Sequence, residues 1–282
     1  MADLPFIKMH GLGNDFVVID ARAHPVDLTA DQVRTLSDRH RGIGFDQIMV
    51  IKRSNKADAE LHMANADGAT VGACGNGTRC VAALLLEEFQ QDTIMLDTSS
   101  GLISASAAPN GLTTVDMGPA RTTWLEIPTA RAEDTLHLDL THETAAGQLS
   151  DPVGVNMGNP HAVFFVEDIA HYDLGSFGRE IECHALFPER ANISLAQVKG
   201  DTINLVVWER GVGLTLACGT AACAALVAAA RRNLCGRSAD VHLPGGTLQI
   251  TWREDNHVLM TGPVATSFLG TVDLDHLIET AL

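Results

Sequence analysis

Two cysteines share nearly the same setting: Cys74 in "ACGNGTRCVAALLLEE" (residues 73 to 88) and Cys218 in "TLACGTAACAALVAAARR" (215 to 232). In each, a glycine follows the thiol and a run of strong helix formers follows the glycine. A thiol at a helix start lies beside unpaired N–H groups and the positive end of the helix dipole, so the spacing predicts a lowered thiol pKa. The same N–H groups suit a carboxylate, which would be clamped beside the sulfur. Two such thiols on opposite faces of one tetrahedral carbon have a use: one takes a proton from one face while the other returns a proton to the opposite face. A thiolate and a thiol then exchange roles, and the site runs in either direction.

The likeness is not confined to the cysteines. Laid on itself, the chain matches "GNDFVVI" with "GNPHAVFFV", so that Asn14 answers Asn159 at a shift of 145 residues. The same shift pairs Gln47 with Asn192 and Gly101 with Gly246, and a shift of 144 pairs Asn65 with Glu209 and Cys74 with Cys218. "VDMGPA" (115 to 120) answers "LMTGPVA" (259 to 265). The order never changes, which marks a duplicated unit.

The elements that must aim the thiols follow from this repeat. Strand-like runs in the first copy are "DFVVID", "QIMVIK", "ELHMANA" and "TIMLDTS"; "AVFFVED", "ISLAQV", "TINLVVWE" and "TLQITW" answer them in the second. The cysteine helices are expected over 75–89 and 219–233. Arg231 and Arg232 complement the end of the second helix dipole, whereas Glu87 and Glu88 leave the first to rely on packing. The fold class is α/β (α+β): two pseudo-symmetric domains, each with strands wrapped around a central helix. The expected division is 1–117 with 263–282 against 118–262, with the active site in the cleft between them.

Composition narrows the function further. The 282 residues carry a formal charge of −16, which leaves no broad basic surface for nucleic acid. A small-molecule substrate is the better expectation. No export signal marks "MADLPFIKMHGLG", and the longest apolar run, 221–230, is too short for a bilayer, so a cytoplasmic protein without membrane contact is expected. Six cysteines in such a chain read as free thiols, ligands or catalysts rather than a disulfide scaffold. The lysines, Lys8, Lys52, Lys56 and Lys199, lie in no motif, so a pyridoxal phosphate Schiff base lacks an obvious anchor and no cofactor is expected.

At this point the chain resembles the diaminopimelate epimerase family. "KMHGLGNDFVVID", "NADG" with "CGNG", "NMGNPHAV", "FPERANI", "WERGVGLTLACGT" and "LPGGTLQI" followed by "MTGP" carry the resemblance over nearly the whole length. It implies a cofactor-independent isomerase of LL- and meso-diaminopimelate, homodimeric, with domains that close around substrate. By the same resemblance Cys74 and Cys218 are the acid/base thiols, and Gly75, Asn76, Gly219 and Thr220 hold the reacting α-carboxylate. Asn14, Gln47, Asn65, Asn159, Asn192, Glu209 and Arg210 line the rest of the site, with Arg210 suited to the distal carboxylate. His161 and Glu209 would lie close to the thiols and set their protonation.

Competing readings are a proline-type racemase of the same fold and a structural zinc site built from Cys74, Cys80, Cys218 and Cys223. The racemase has no need of the Arg210 and asparagine set. The zinc reading requires Cys80 and Cys223 to serve as ligands from inside helices, where burial is the better account. "GACGNG" departs from a dinucleotide fingerprint. Two departures from the family pattern stand out: Ala221 where glycine is usual, and Phe268 where a tyrosine is common at the dimer contact.

Overall fold

The computed structural model describes residues 3–72 and 74–274. The chain divides into two compact units, Met1–Val115 with Gly262–Leu282, and Asp116–Thr261. The first contains β1 (Leu4–Gly11), β2 (Asn14–Asp20), α1 (Ala30–Ser37), β3 (Gln47–Lys52), β4 (Ala59–Asn65), β5 (Thr70–Val71), α2 (Gly75–Phe89), β6 (Thr93–Thr98) and β7 (Gly101–Ala108). β8 (Leu112–Pro119) leads out of it.

The second holds β9 (Thr141–Thr144), β10 (Gly147–Ser150), β11 (Val153–Asn156), β12 (Pro160–Phe165), α3 (Leu174–Glu182), β13 (Asn192–Lys199) and β14 (Thr202–Glu209). It continues through β15 (Gly213–Leu214), α4 (Gly219–Arg231), β16 (Ser238–Leu243), β17 (Gly246–Trp252) and β18 (His257–Gly262). β19 (Ala265–Val272) returns to the first unit and pairs antiparallel with β1, Ile7 opposite Leu269.

The duplication extends to strand register. β2 and β3 run parallel with Phe16 opposite Gln47, and β12 and β13 run parallel with His161 opposite Asn192. β4 and β6 pair parallel through Ala59 and Leu96; β14 and β16 repeat this through Ile203 and Val241. Side-chain direction alternates along a strand, so matched register keeps matched residues on the same face in both copies.

Each unit's strands wrap a central helix, as the apolar runs and alanine-rich segments predict. α2 packs on β1, β2, β3, β6 and β7, and α4 packs on β11 to β14, β16 and β17. Ala221 through Ala229 are all fully buried. A helix apolar all round has no solvent face to keep, and small alanines let strands approach from every side. Cys80 and Cys223 are completely buried, one turn or so inside these helices, as expected.

The helix ends differ. α4 stops two residues short of the predicted Asn233, which adopts a left-handed φ of 56°. Its arginines are anchors rather than free dipole partners: Arg231 donates to the Gly154 carbonyl (3.0 Å) and Thr135 Oγ1 (2.9 Å), and Arg232 to the Leu136 carbonyl (2.8 Å). α2 ends on left-handed Gln90, and Glu88 is neutralised by Arg22 at 2.6 Å. Among the described residues, no helix is long and apolar enough to cross a membrane.

Candidate active site

In the first unit, Asn14 and Gln47 begin the parallel strands β2 and β3, and Asn65 ends the antiparallel β4, so all three share one sheet end. Gln47 Nε2 donates to Asn65 Oδ1 (2.9 Å), while Gln47 Oε1 is buried without a partner. Cys74 is the N-cap of α2, with Sγ accepting from the Gly77 N–H at 3.4 Å. Gly75 and Asn76 open the helix, and Asn76 Nδ2 donates to Asn14 Oδ1 (3.3 Å). Behind them lies a charge network. Asn14 Nδ2 donates to Asp46 (2.8 Å), Arg39 bridges Asp46 (2.8 Å) and Asp15 (2.7 Å), and Lys8 also pairs with Asp15. Burial opposes the charge on Asp15, but hydrogen bonds and charge from Arg39 and Lys8 hold its carboxyl at about 2.

In the second unit, Asn159 and His161 lie at the start of β12, Asn192 starts β13 and Glu209 ends β14. His161 is fully buried, its Nε2 2.8 Å from Asn159 Oδ1. Burial, with Arg210 adding to it, pushes the imidazole down to about 3, so the ring is neutral. Asn192 uses its amide on the backbone: Nδ2 donates to the Pro160 carbonyl (2.9 Å), and Oδ1 accepts from the Arg210 N–H (2.9 Å). Arg210 Nη1 donates to the Glu189 carbonyl (3.0 Å). Glu209 accepts from Thr215 Oγ1 (2.5 Å) and lies close enough to Cys218 to act on its thiol. Cys218 is the N-cap of α4; its Sγ is 3.4 Å from Thr220 Oγ1, and Gly219 opens the helix.

The helix-start argument predicts a lowered thiol, and Cys218 departs from it. Burial raises this thiol well above the ordinary value and the Glu209 carboxylate raises it further, outweighing the Thr220 hydroxyl and the Ala221 N–H. Desolvation of a thiolate exceeds what one helix terminus returns. Cys218 therefore rests as a neutral thiol.

Ala221 has a structural explanation. Its counterpart Gly77 is crowded: a Cβ there would lie 1.9 Å from Met49 Cε and 3.3 Å from Phe16 Cε1, so the buried Met49 side chain would have to shift to admit one. The repeat replaces Met49 with Ser194 and Phe16 with His161, and these smaller side chains accompany Ala221. All three are fully buried.

Several supporting residues escaped the motif reading. They are Asp15, Arg39 and Asp46 behind Asn14; fully buried Arg79, whose Nη1 donates to Asn76 Oδ1 (3.2 Å); Thr215 on Glu209; and Glu182. A charged residue in the first turns of a helix, followed directly by the apolar run CVAALLL, was the available signal for Arg79. The repeat gives no signal for Glu182, because its counterpart is Ser37, a different residue type.

The family model for diaminopimelate epimerase matches residues 6–123 and 153–267. The diaminopimelate epimerase of Acidiphilium cryptum is 52% identical over 270 residues, covering 95% of this chain and 96% of the relative. That of Rhodospirillum centenum is 52% identical over 268 residues, covering 94% and 91%. In fold the chain is similar to the phenazine biosynthesis protein of the PhzF family from Bacillus anthracis, with TM-score 0.68, 13% identity, and 96% and 99% of the two chains covered. It is also similar to a hydroxyproline epimerase from Agrobacterium vitis, with TM-score 0.62, 17% identity, and 96% and 92% covered. With half its residues shared along nearly the full length of the Acidiphilium cryptum and Rhodospirillum centenum proteins, and with a cysteine N-cap and its amide cluster in both units, the chain belongs to the diaminopimelate epimerase family.

Proposed function

We propose that this chain interconverts LL- and meso-2,6-diaminopimelate on the way to lysine and peptidoglycan precursors. Cys74 and Cys218 act on opposite faces of the α-carbon, one thiol from each unit. One thiolate takes the α-proton and becomes a thiol; the other thiol gives its proton to the opposite face and becomes the thiolate. The observation that carries this reading is the duplicated cysteine N-cap, since inversion needs two matched groups and binding alone needs neither.

The carbanion must be stabilised while the proton is in transit. The first N–H groups of α2 and α4, at Gly75, Asn76, Gly219 and Thr220, suit the α-carboxylate, where preorganised donors in a dry site carry the developing charge. Neutral His161 and the Glu209 carboxylate beside Cys218 govern when that thiol gives up its proton. The distal end carries an ammonium and a carboxylate. The unpartnered Gln47 Oε1 is an acceptor for an N–H donor, with Asn14, Asn65, Asn159 and Asn192 around the rest of the ligand and Arg210 available to the carboxylate.

Incubation with LL-diaminopimelate in D2O tests substrate and reaction together: the meso isomer should form with deuterium at the α-carbon. Absence of exchange would sink the assignment. Cys74→Ala and Cys218→Ala should each lower turnover by about a hundredfold to ten-thousandfold. Full activity in either rejects the two-thiol route.

We further propose a cytoplasmic homodimer assembled through β19, where Phe268 is 49% and Leu269 73% exposed. Phe268 packs edge-on against Phe6, ring centroids 6.0 Å apart, so no hydroxyl is needed to order it. Sedimentation of the purified chain tests the assembly.

A further inference from the structure

The turn that follows β14 presents Glu209 and Arg210, and something must fix its direction. The groups around it converge on one side chain, Glu182, the last residue of α3, which is fully buried. Its Oε2 accepts from Trp208 Nε1 (2.8 Å) and its Oε1 from the Gly211 N–H (2.9 Å), so the carboxylate grips the turn on both sides of Glu209 and Arg210. Arg190 donates to Oε1 (3.2 Å), and Arg179 lies 3.5 Å from Oε2. The Glu182 carbonyl accepts from the Ala191 N–H (3.3 Å), one residue before Asn192. Two segments bearing candidate ligand groups, the turn at Glu209 and Arg210 and the stretch leading to Asn192, are thus referred to this one residue. Burial works against its charge, but Trp208, the Gly211 N–H and the two arginines hold it below the usual carboxylate range.

The first unit has the same joint in weaker form. Glu182 answers Ser37 at the repeat spacing, and Ser37 Oγ donates to the Ala66 carbonyl (2.8 Å) in the turn after β4. Ala66 is the counterpart of Arg210 at a shift of 144. One hydroxyl suffices where the turn carries alanine; a carboxylate with several donors stands where it carries the arginine. Gly178 on α3 completes the clamp, because a Cβ there would lie 2.6 Å from the Trp208 ring.

We propose that Glu182 is a positioning residue for substrate recognition, acting through Arg210 on the distal carboxylate. This rests on the reading that Arg210 holds that group. Charge-assisted bonds to a fixed backbone set a guanidinium's reach; Glu209, in the same turn, is also held by Thr215 Oγ1 (2.5 Å), so a loosened turn weakens binding at Arg210 more than it disturbs the carboxylate beside Cys218.

The test is steady-state kinetics of the full chain with LL-diaminopimelate. Glu182→Gln, which replaces one acceptor with a donor facing donors, should raise KM about tenfold while kcat stays within about twofold. Trp208→Phe, which leaves the carboxylate intact, should shift KM in the same direction by less, and it serves if the glutamine variant does not fold. In a double-mutant cycle, Glu182→Gln should add less than about threefold to the KM of Arg210→Lys, since both act on one contact. Fully additive effects, or a loss confined to kcat, would overturn the proposal while leaving the role of Arg210 standing. An unchanged KM in Arg210→Lys alone would overturn both.

Discussion

The sharpest residue-scale contrast is the pair Gly77 and Ala221, which hold the same place after the two cysteines. Gly77 faces Met49 and Phe16, and a methyl group there requires Met49 to shift; Ala221 is fully buried where Ser194 and His161 replace them. Gly77→Ala should therefore destabilise the fold by about 1–3 kcal/mol through overpacking. Ala221→Gly should cost about 1 kcal/mol, from lost helix propensity and a small void. Urea unfolding of both variants measures the order, and a Gly77→Ala variant as stable as the parent would show that Met49 moves aside freely. By strand register, neutral His161 holds in the second copy the place of Phe16 in the first, although the cysteines themselves are matched.

At the scale of elements, each unit solves one problem: holding strand ends in register at the mouth of a buried helix. In the first unit the solution is electrostatic. Lys8 on β1, Asp15 on β2, and Arg39 and Asp46 between α1 and β3 form a chain of ion pairs ending on Asn14. Asp15 titrates at about 2 in the fold against an ordinary 3.8. Its contribution to stability is therefore full above about pH 4 and disappears as pH falls through about 2. Asp15→Asn should be less stable than the parent at neutral pH, with the difference closing towards about pH 2. Thermal unfolding across that range checks it, and a constant difference would remove Asp15 from the acid transition. The second unit has no counterpart of Lys8 or Asp15, since Val153 and Pro160 occupy those places; there Glu182 supplies the joint.

For the whole molecule, the return of β19 to pair with β1 closes the first unit and leaves apolar side chains facing outward. For the homodimer proposed above, Leu269, 73% exposed on this strand, offers an uncharged contact on a chain of net charge −16 whose copies otherwise repel one another. If the chain forms the dimer proposed above, Leu269→Glu should raise its dissociation constant on the order of thirtyfold or more. Sedimentation velocity of parent and variant over a dilution series reads the change; a monomeric parent overturns the dimer proposal, and an unaltered profile overturns assembly through β19.

Much of this was legible in the chain because a duplication repeats residue types at fixed spacing. The strands "QIMVIK" and "TINLVVWE" and the helix over 75–89 coincide with β3, β14 and α2, since apolar alternation and helix propensity act locally. The cysteine pair and its asparagine neighbours could be found because they sit beside glycine turns that the repeat preserves. The protonation of Cys218, the role of Glu182 and the packing reason why Gly77 in one copy becomes Ala221 in the other could not be found this way. Each depends on partners far apart in sequence and on burial, which sets the penalty for a bare charge and the space for a methyl group. The sequence by itself determined which groups could do the chemistry and which elements carry them. Tertiary packing alone decided that one of the two matched thiols is buried as a neutral acid, because desolvation is a property of the assembled core and not of the helix that begins there.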